Sequence, residues 1–189
     1  MGHFALTALL LPAIRNTPGA RVVNVSSGFA QRGKMHFDDL NMESNYRPWA
    51  AYAQSKLANQ LFTTELQRRF EAAGIDAISV AAHPGYAATN LQAVAPQMSN
   101  SRMRLWMMGL MNRFLAQSAE QGALPILYAA TAPDVKGGEY FGPDGLMEMR
   151  GYPTRVKMQP EAHDPEATSK LWELSEQMTG ITYDLPVTA

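Results

Sequence analysis

Apolar residues along the chain switch between helix-like and strand-like spacing. Residues 3–15 place leucine, phenylalanine and isoleucine almost all round a helix, which predicts a helix buried on more than one side and ended by Pro18-Gly19. Residues 21–26 form an apolar, β-branched run, which is typical of a buried parallel strand. Residues 52–73 carry apolar side chains on one stripe and predict a second helix.

The rest of the chain continues the same alternation of helix and strand. The further predicted elements are a strand at 75–82, a helix at 118–131, a short strand at 138–141 and a last helix from Asp164-Pro165 to Gly180. This order indicates βαβ units and a parallel sheet. We therefore expect residues 1–189 to form one domain of the α/β class, a Rossmann-like three-layer α/β/α arrangement with a mostly parallel sheet.

Two segments interrupt the alternation. Residues 28–51 are polar and irregular, which predicts a long loop of the kind that often carries function. Residues 92–117 are rich in methionine and contain Trp106. This second segment has three interpretations, which are a lid over an apolar substrate, ordinary core, or a helix on a membrane surface, and we rank them in that order.

Composition narrows the classes of function. The 189 residues carry a net charge of −1 with both signs interspersed, so nothing marks a nucleic-acid or anionic-membrane footprint. The absence of cysteine excludes disulfides, thiolate nucleophiles and cysteine-ligated metals, and it favours a cytoplasmic location. The four histidines lack metal-binding spacing. We expect small molecules or other subunits as partners, and no membrane-spanning helix.

Hydroxyl, phenol and ammonium groups stand at positions that suit acid–base chemistry. Ser26 and Ser27 end the first apolar strand, and Tyr52 and Lys56 share one face of a helix across ~6 Å of rise. An ammonium that close favours the phenolate and lowers the tyrosine pKa from ~10. Alternatively, Tyr52 and Lys56 are a surface pair, and Ser26 satisfies backbone groups at the strand end, the interpretation that we prefer for Ser26.

These motifs together resemble the short-chain dehydrogenase/reductase family. The matching stretches are Val-Val-Asn-Val-Ser-Ser at 22–27, Tyr-x-x-x-Lys at 52–56 and His-Pro-Gly-x-x-x-Thr at 83–89, in the family's order. The likeness covers nearly the whole chain and is strongest to the retinol-dehydrogenase-like and WW-domain-oxidoreductase-like branch. It implies an NAD(P)-dependent enzyme that interconverts an alcohol and a carbonyl on a small, apolar substrate, with NADP slightly favoured over NAD.

The resemblance also implies roles for particular residues. Ser27 would polarise the substrate oxygen, Tyr52 would be the acid in reduction and the base in oxidation, and Lys56 would lower the tyrosine pKa and bind the ribose of the cofactor. The cofactor-binding set would be Tyr52, Lys56, Pro84, Gly85 and Thr89, of which the last three flank the nicotinamide.

Two larger parts of the chain acquire expected roles from the same likeness. Residues of about 90–117 would form the substrate lid. Helices 3–15 and 52–73 would pair subunits in a homodimer or homotetramer. His83, which precedes the nicotinamide-flanking turn, is interpreted as a packed or hydrogen-bonded residue at the strand end rather than as a base.

The family's glycine-rich, nucleotide-binding start is not found in this sequence. The opening Met1-Gly2-His3-Phe4 instead resembles an interior stretch of the family, so we expect the chain to be an N-terminally truncated, carboxyl-terminal portion of a family member. Because the glycine-rich start is not found, a competing hypothesis is that the chain is a catalytically inactive fragment or pseudoenzyme that acts as an association module.

Overall fold

A computed structural model describes residues 1–86 and 117–185 of the chain. The helices are α1 (Gly2–Arg15), α2 (Pro48–Ala72), α3 (Ala119–Thr131) and α4 (Pro165–Thr179). The strands are β1 (Ala20–Val25), β2 (Ala77–Ala82), β3 (Tyr140–Pro143) and β4 (Pro153–Arg155). Short 3-10 helices lie at Gly28–Arg32, Leu146–Glu148 and Pro160–His163.

The described strands form a sheet in the order β1-β2-β3-β4. The first three strands run parallel, and β4 pairs antiparallel with β3. In this register Val25 lies opposite Ala82, which in turn lies opposite Phe141. The carboxyl ends of the three parallel strands therefore meet at one edge, where open α/β sheets bind their ligands. The predicted mostly parallel α/β sheet is confirmed, although the sequence did not predict β4.

Helices cover both faces of the sheet. On one face, α2 packs Leu66 and Phe70 against Phe4 of α1 and Trp172 of α4. On the other face, α3 packs against a cluster of β2 and β3 residues that includes Val80, Ala82 and Phe141. Apolar side chains thus fill both sides of the sheet, which confirms the three-layer arrangement.

The helix ends follow local sequence signals. The Ser118 hydroxyl accepts a hydrogen bond from the Gln121 amide at 3.2 Å and caps α3. The Asp164 carboxylate accepts one from the Glu166 amide at 3.0 Å and caps α4, which ends at Gly180 in the left-handed conformation (φ 67°). These caps confirm the predicted starts of α3 and α4 and the predicted end of α4.

The prediction that α1 is buried on more than one side is wrong. Phe4 and Leu11 are buried, but Leu6, Leu9 and Leu10 are exposed, Leu9 to 71%. Among the described residues, the helix therefore packs through one face, and its other face is exposed to solvent. Although α1 is apolar, it has 14 residues, and no helix among residues 1–86 and 117–185 has the length and apolarity to cross a bilayer.

The long predicted loop is shorter and more ordered than the sequence suggested. It contains the 3-10 helix at Gly28–Arg32, and α2 already begins at Pro48. The buried Gln54 side chain attaches the remaining loop to α2. Its Oε1 accepts from the His36 amide at 3.0 Å, and its Nε2 donates to the Leu40 carbonyl at 2.9 Å. The loop is thereby held beside the carboxyl edge of the sheet.

Candidate active site

The parallel pairing of β1 and β2 brings the two predicted motif ends together. Beyond the last paired residues, the Ser26 amide donates to the Ala82 carbonyl at 2.8 Å. Ser26 and Ser27 therefore lie beside His83 and Pro84, which continue β2. Adjacent strands are ~4.8 Å apart, so side chains from both strand ends share one small region.

Ser26 and Ser27 have different roles in this region. Ser26 is buried and its hydroxyl donates to the Lys56 carbonyl at 2.8 Å, which ties β1 to α2. The expected backbone-satisfying role of Ser26 is confirmed. The half-buried Ser27 hydroxyl accepts from the Phe29 amide at 3.2 Å. A hydroxyl that accepts one hydrogen bond still has its own proton to donate, so Ser27 suits a donor role toward a bound oxygen.

Tyr52 and Lys56 lie on adjacent turns of α2, and both are half-buried. The Lys56 Nζ lies 5.8 Å from the centroid of the Tyr52 ring and donates to the Val25 carbonyl at 3.2 Å. Burial lowers the pKa of Lys56. The ammonium is thus held between the phenol ring and the end of β1, with donors left for a further partner.

Two polar residues that follow Lys56 also support the end of β1. Their place after Lys56 on a helix predicts solvated side chains or a subunit contact, and this prediction is wrong for Gln60. Asn59 Nδ2 donates to the Val25 carbonyl at 3.0 Å, and Gln60 is 0% exposed. Gln60 Oε1 accepts from the Gln159 amide at 2.9 Å. Gln60 lies one helical turn from the buried Leu57, and this spacing is the sequence signal that indicates its burial.

Three aromatic rings meet at the start of α2. Phe29 and Trp49 stack with centroids 5.4 Å apart and planes at 22°. Both meet the Tyr52 ring edge-on, Phe29 at 6.0 Å and Trp49 at 6.4 Å. We call Phe29 and Trp49 the aromatic pair. Neither residue was assigned a role from the sequence, because their contact joins two separate segments.

His83 occupies a buried position at the end of β2. Its Nδ1 accepts from the Gly85 amide at 3.2 Å, which assigns the ring proton to Nε2, and Nε2 donates to Glu148 Oε2 at 3.1 Å. A side chain at Gly142 would collide with the His83 ring, because a Cβ there would lie 2.1 Å from Nε2. The expected role of His83 as a packed, hydrogen-bonded residue is confirmed.

The Pro84-Gly85 turn is fixed from several sides. Gly85 has φ 65°, and a Cβ there would lie 2.5 Å from the Met149 carbonyl oxygen. The same carbonyl accepts from the Tyr86 amide at 2.7 Å, and the Pro84 carbonyl accepts from Gln117 Nε2 at 2.6 Å. The turn is therefore a closely packed wall at the sheet edge. Thr89 and the predicted lid up to residue 116 lie outside the described residues.

The arrangement gathers polar donors at one edge of the sheet. Lys56 offers ammonium donors, Ser27 and Tyr52 offer hydroxyls, and the closely packed Pro84-Gly85 turn lies at the same edge. All of them lie at the carboxyl edge of parallel strands, which is where α/β folds hold nucleotides. Ser27, Tyr52, Lys56, Pro84 and Gly85 are thus brought into one region.

The buried His83 imidazole predicts a specific acid sensitivity. Burial lowers the pKa of His83 from 6.5 to about 4. Between these values the unfolded chain binds more protons, so the stabilisation is complete above about pH 6.5 and is lost as the pH falls toward about 4. We expect the unfolding free energy to fall by about 3 kcal/mol across this window.

Denaturant titrations from about pH 7 to about pH 4.5 test this prediction. His83→Gln should remove most of the slope of unfolding free energy against pH. The exposed His163 provides the matched control, since His163→Gln should keep the slope. An unchanged slope in His83→Gln would assign the acid sensitivity to other groups.

Comparison with known proteins finds relatives that are named as dehydrogenases. No protein-family model matches the chain. The chain is 36% identical over 185 residues to retinol dehydrogenase 14 of Mus musculus, an alignment that covers 96% of this chain and 51% of that protein. It is 37% identical over 190 residues to polyprenol dehydrogenase of Mus musculus, with 95% of this chain and 51% of that protein covered.

A solved structure is similar over the same span. The crystal structure of an uncharacterized protein from Mycobacterium Paratuberculosis superposes with a TM-score of 0.72 at 40% sequence identity, covering 98% of this chain and 57% of that one. The chain therefore spans about half the length of the curated relatives that it matches.

Proposed function

We propose that this chain, which belongs to the short-chain dehydrogenase/reductase family, carries the reaction centre of an NAD(P)-dependent oxidoreductase that interconverts an alcohol and a carbonyl. The observation that carries the proposal is a chain of contacts at the carboxyl edge of the parallel strands. The Phe29 amide donates to the Ser27 hydroxyl, the Phe29 ring contacts the Tyr52 ring, and the Lys56 ammonium lies 5.8 Å from the centroid of that ring. Residues 1–189 would act here as one Rossmann-like domain.

Ser27 and Tyr52 would act on the substrate oxygen. Reduction of a carbonyl builds negative charge on its oxygen, and two hydroxyl donors directed at that atom stabilise the charge. The Phe29 amide holds the Ser27 oxygen as an acceptor, so the Ser27 proton can point to the substrate. In reduction Tyr52 would give its phenolic proton to the oxygen, and in oxidation its phenolate would take the proton of the alcohol.

Lys56 would lie beside Tyr52 and bind the cofactor ribose. Its ammonium lies 5.8 Å from the centroid of the phenol ring, in a half-buried position. The bond to the Val25 carbonyl fixes the ammonium and leaves other donors for ribose hydroxyls.

A nicotinamide dinucleotide held at this site would supply the hydride chemistry of the reaction in both directions. Pro84, Gly85 and Thr89 would flank the nicotinamide. The packed turn at Gly85 offers a rigid surface for a planar ring. Either NADP or NAD fits this half of the site, with NADP slightly favoured by the resemblance.

The proposal also covers the substrate, the segment that would cover it, the oligomeric state and the location. Relatives named for retinol and polyprenol support an apolar alcohol, and the segment at about 90–117 would cover it. The exposed leucines of α1 support a homodimer or homotetramer through α1 and α2. We propose a cytoplasmic location.

Replacement of Lys56 provides the test. In Lys56→Gln we expect about 10-fold weaker binding of NADPH or NADH, because a charge-assisted contact to the ribose is lost. Fluorescence titration of the reduced nicotinamide measures this affinity. The exposed Lys136 supplies the matched control, and Lys136→Gln should bind as the wild type does. Equal affinity in wild type and Lys56→Gln would remove Lys56 from the cofactor site.

A second candidate function is association without catalysis. The exposed face of Leu6, Leu9 and Leu10 favours it, because such a face suits a protein contact. The same nucleotide titration separates the two functions. An enzyme must bind a nicotinamide dinucleotide, whereas an association module that binds none would still form oligomers through this face.

A further inference from the structure

The aromatic pair leaves a large apolar surface in solvent directly beside Tyr52. Trp49 is 62% exposed and Phe29 is 39% exposed, although the two rings stack on each other. We propose that the aromatic pair is a stacking platform that selects alcohols and carbonyl compounds whose apolar portion is flat and unsaturated. This inference rests on the proposed function, because the platform would hold the apolar part of a substrate whose oxygen lies at Ser27 and Tyr52.

The backbone and the rings connect the aromatic pair to both hydroxyls. The Phe29 amide donates to Ser27 Oγ at 3.2 Å, and the Phe29 ring meets the Tyr52 ring at 6.0 Å. Trp49 precedes Tyr52 by one helical turn and meets its ring at 6.4 Å with planes at 87°. A substrate oxygen held by both hydroxyls therefore places the atoms next to it within reach of the aromatic pair.

The exposure of the aromatic pair differs from that of aromatic residues used for packing. Phe70 is 0% exposed and Trp172 is 2% exposed, and both lie in the apolar cluster between the helices and the sheet. Trp49 instead keeps most of its surface in water beside a polar reaction centre. Apolar surface next to a few convergent polar groups is typical of a ligand site.

The pair also has neighbours that orient its two rings. The Arg32 guanidinium carbon lies 5.6 Å from the Phe29 centroid, and Tyr52 contacts both rings at their edges. Ordered rings stack on planar π systems with a gain beyond the area that they bury. A saturated chain of equal size receives the area contribution only. The platform should therefore discriminate flat from flexible substrates.

Steady-state kinetics with three aldehydes tests the platform. The probes are trans-cinnamaldehyde, nonanal with the same number of carbons, and propanal, each reduced with the nucleotide that the wild type prefers. In Trp49→Ala we expect kcat/KM to fall about 10-fold for cinnamaldehyde, about 3-fold for nonanal and less than about 2-fold for propanal. Trp49→Phe should restore most of the loss for cinnamaldehyde.

A control variant shows whether a loss of activity is specific to the aromatic pair. Tyr152 is an exposed aromatic residue in another segment, and Tyr152→Ala should leave all three kcat/KM values unchanged. Equal losses for the three aldehydes in Trp49→Ala, or no loss for cinnamaldehyde, would contradict the platform even if the enzyme is active. A thermal melt of Trp49→Ala with a cooperative transition would establish that the variant is folded.

Calorimetric titration with cinnamyl alcohol separates this inference from the proposed function. If the wild type reduces none of the aldehydes, the proposed function fails, and ligand binding alone then decides the inference. Weaker binding of cinnamyl alcohol to Trp49→Ala than to Tyr152→Ala would support the platform. Equal binding to the two variants, or no binding to the wild type, would overturn it.

Discussion

Tyr52→Phe is expected to lower kcat by about 10²–10⁴-fold, the usual contribution of a positioned general acid or base. The substitution removes the phenolic oxygen and keeps the ring, so the edge contacts with Phe29 and Trp49 should persist. The proton that must reach the substrate oxygen during reduction then has no donor in the phenol's place. The melting temperature should stay near the wild-type value, and nucleotide binding should be largely retained, with a loss far smaller than the loss in kcat.

A matched control separates chemistry from a general effect of losing a phenol. Tyr46 is exposed in the loop before α2, and Tyr46→Phe should keep kcat within about 2-fold of wild type. Stopped-flow measurement of a single turnover with saturating nucleotide reads the chemical step directly. Undiminished turnover in Tyr52→Phe would show that another group transfers the proton.

Glu65→Ala is expected to destabilise the protein by about 3–5 kcal/mol, because it removes one partner of a buried ion pair. Glu65 is 1% exposed, and its carboxylate accepts from Arg69 Nε at 2.7 Å and from Arg68 Nη2 at 2.8 Å. Burial opposes ionisation of Glu65, but the hydrogen bonds and charges of both arginines outweigh it and hold its pKa below the usual range. In Glu65→Ala, the Arg69 guanidinium would remain buried against the Trp172 ring and would lose the carboxylate that accepts from its Nε.

Denaturant unfolding of three variants tests this expectation. Glu173 is an exposed carboxylate on α4, and Glu173→Ala should change the unfolding free energy by less than about 0.5 kcal/mol. The double variant Glu65→Leu with Arg69→Met should regain much of the loss, because two apolar side chains leave no buried charge unpaired at these positions. A loss below about 1 kcal/mol in Glu65→Ala would mean that water replaces the carboxylate.

Local chemistry made several elements predictable from the sequence. The caps at Ser118 and Asp164 and the glycine at 180 act within a few residues, so their geometry follows from the residues themselves. The spacing of Tyr52 and Lys56 is likewise fixed by the helix. Parallel pairing of two apolar strands then placed Ser27 near that helix, as expected from the order of elements.

Features that depend on contacts between distant segments could not be predicted. The three-residue strand β4 exists because β3 pairs with it, and its own sequence has no strand pattern. The buried face of α1 depends on which elements cover it, which periodicity does not reveal. The His83–Glu148 contact and the aromatic pair join segments far apart in the chain, so no local motif indicates them.

Transfer of a labelled hydride tests the central claim most directly. The protein would be incubated with an apolar aldehyde and NADPH or NADH deuterated at the transferring position, and the product alcohol would be examined by mass spectrometry. The account predicts one deuterium on the carbinol carbon, with the label lost from the nucleotide at the same rate and both processes suppressed in Tyr52→Phe. Nucleotide that binds but transfers no deuterium to any aldehyde would contradict the oxidoreductase assignment.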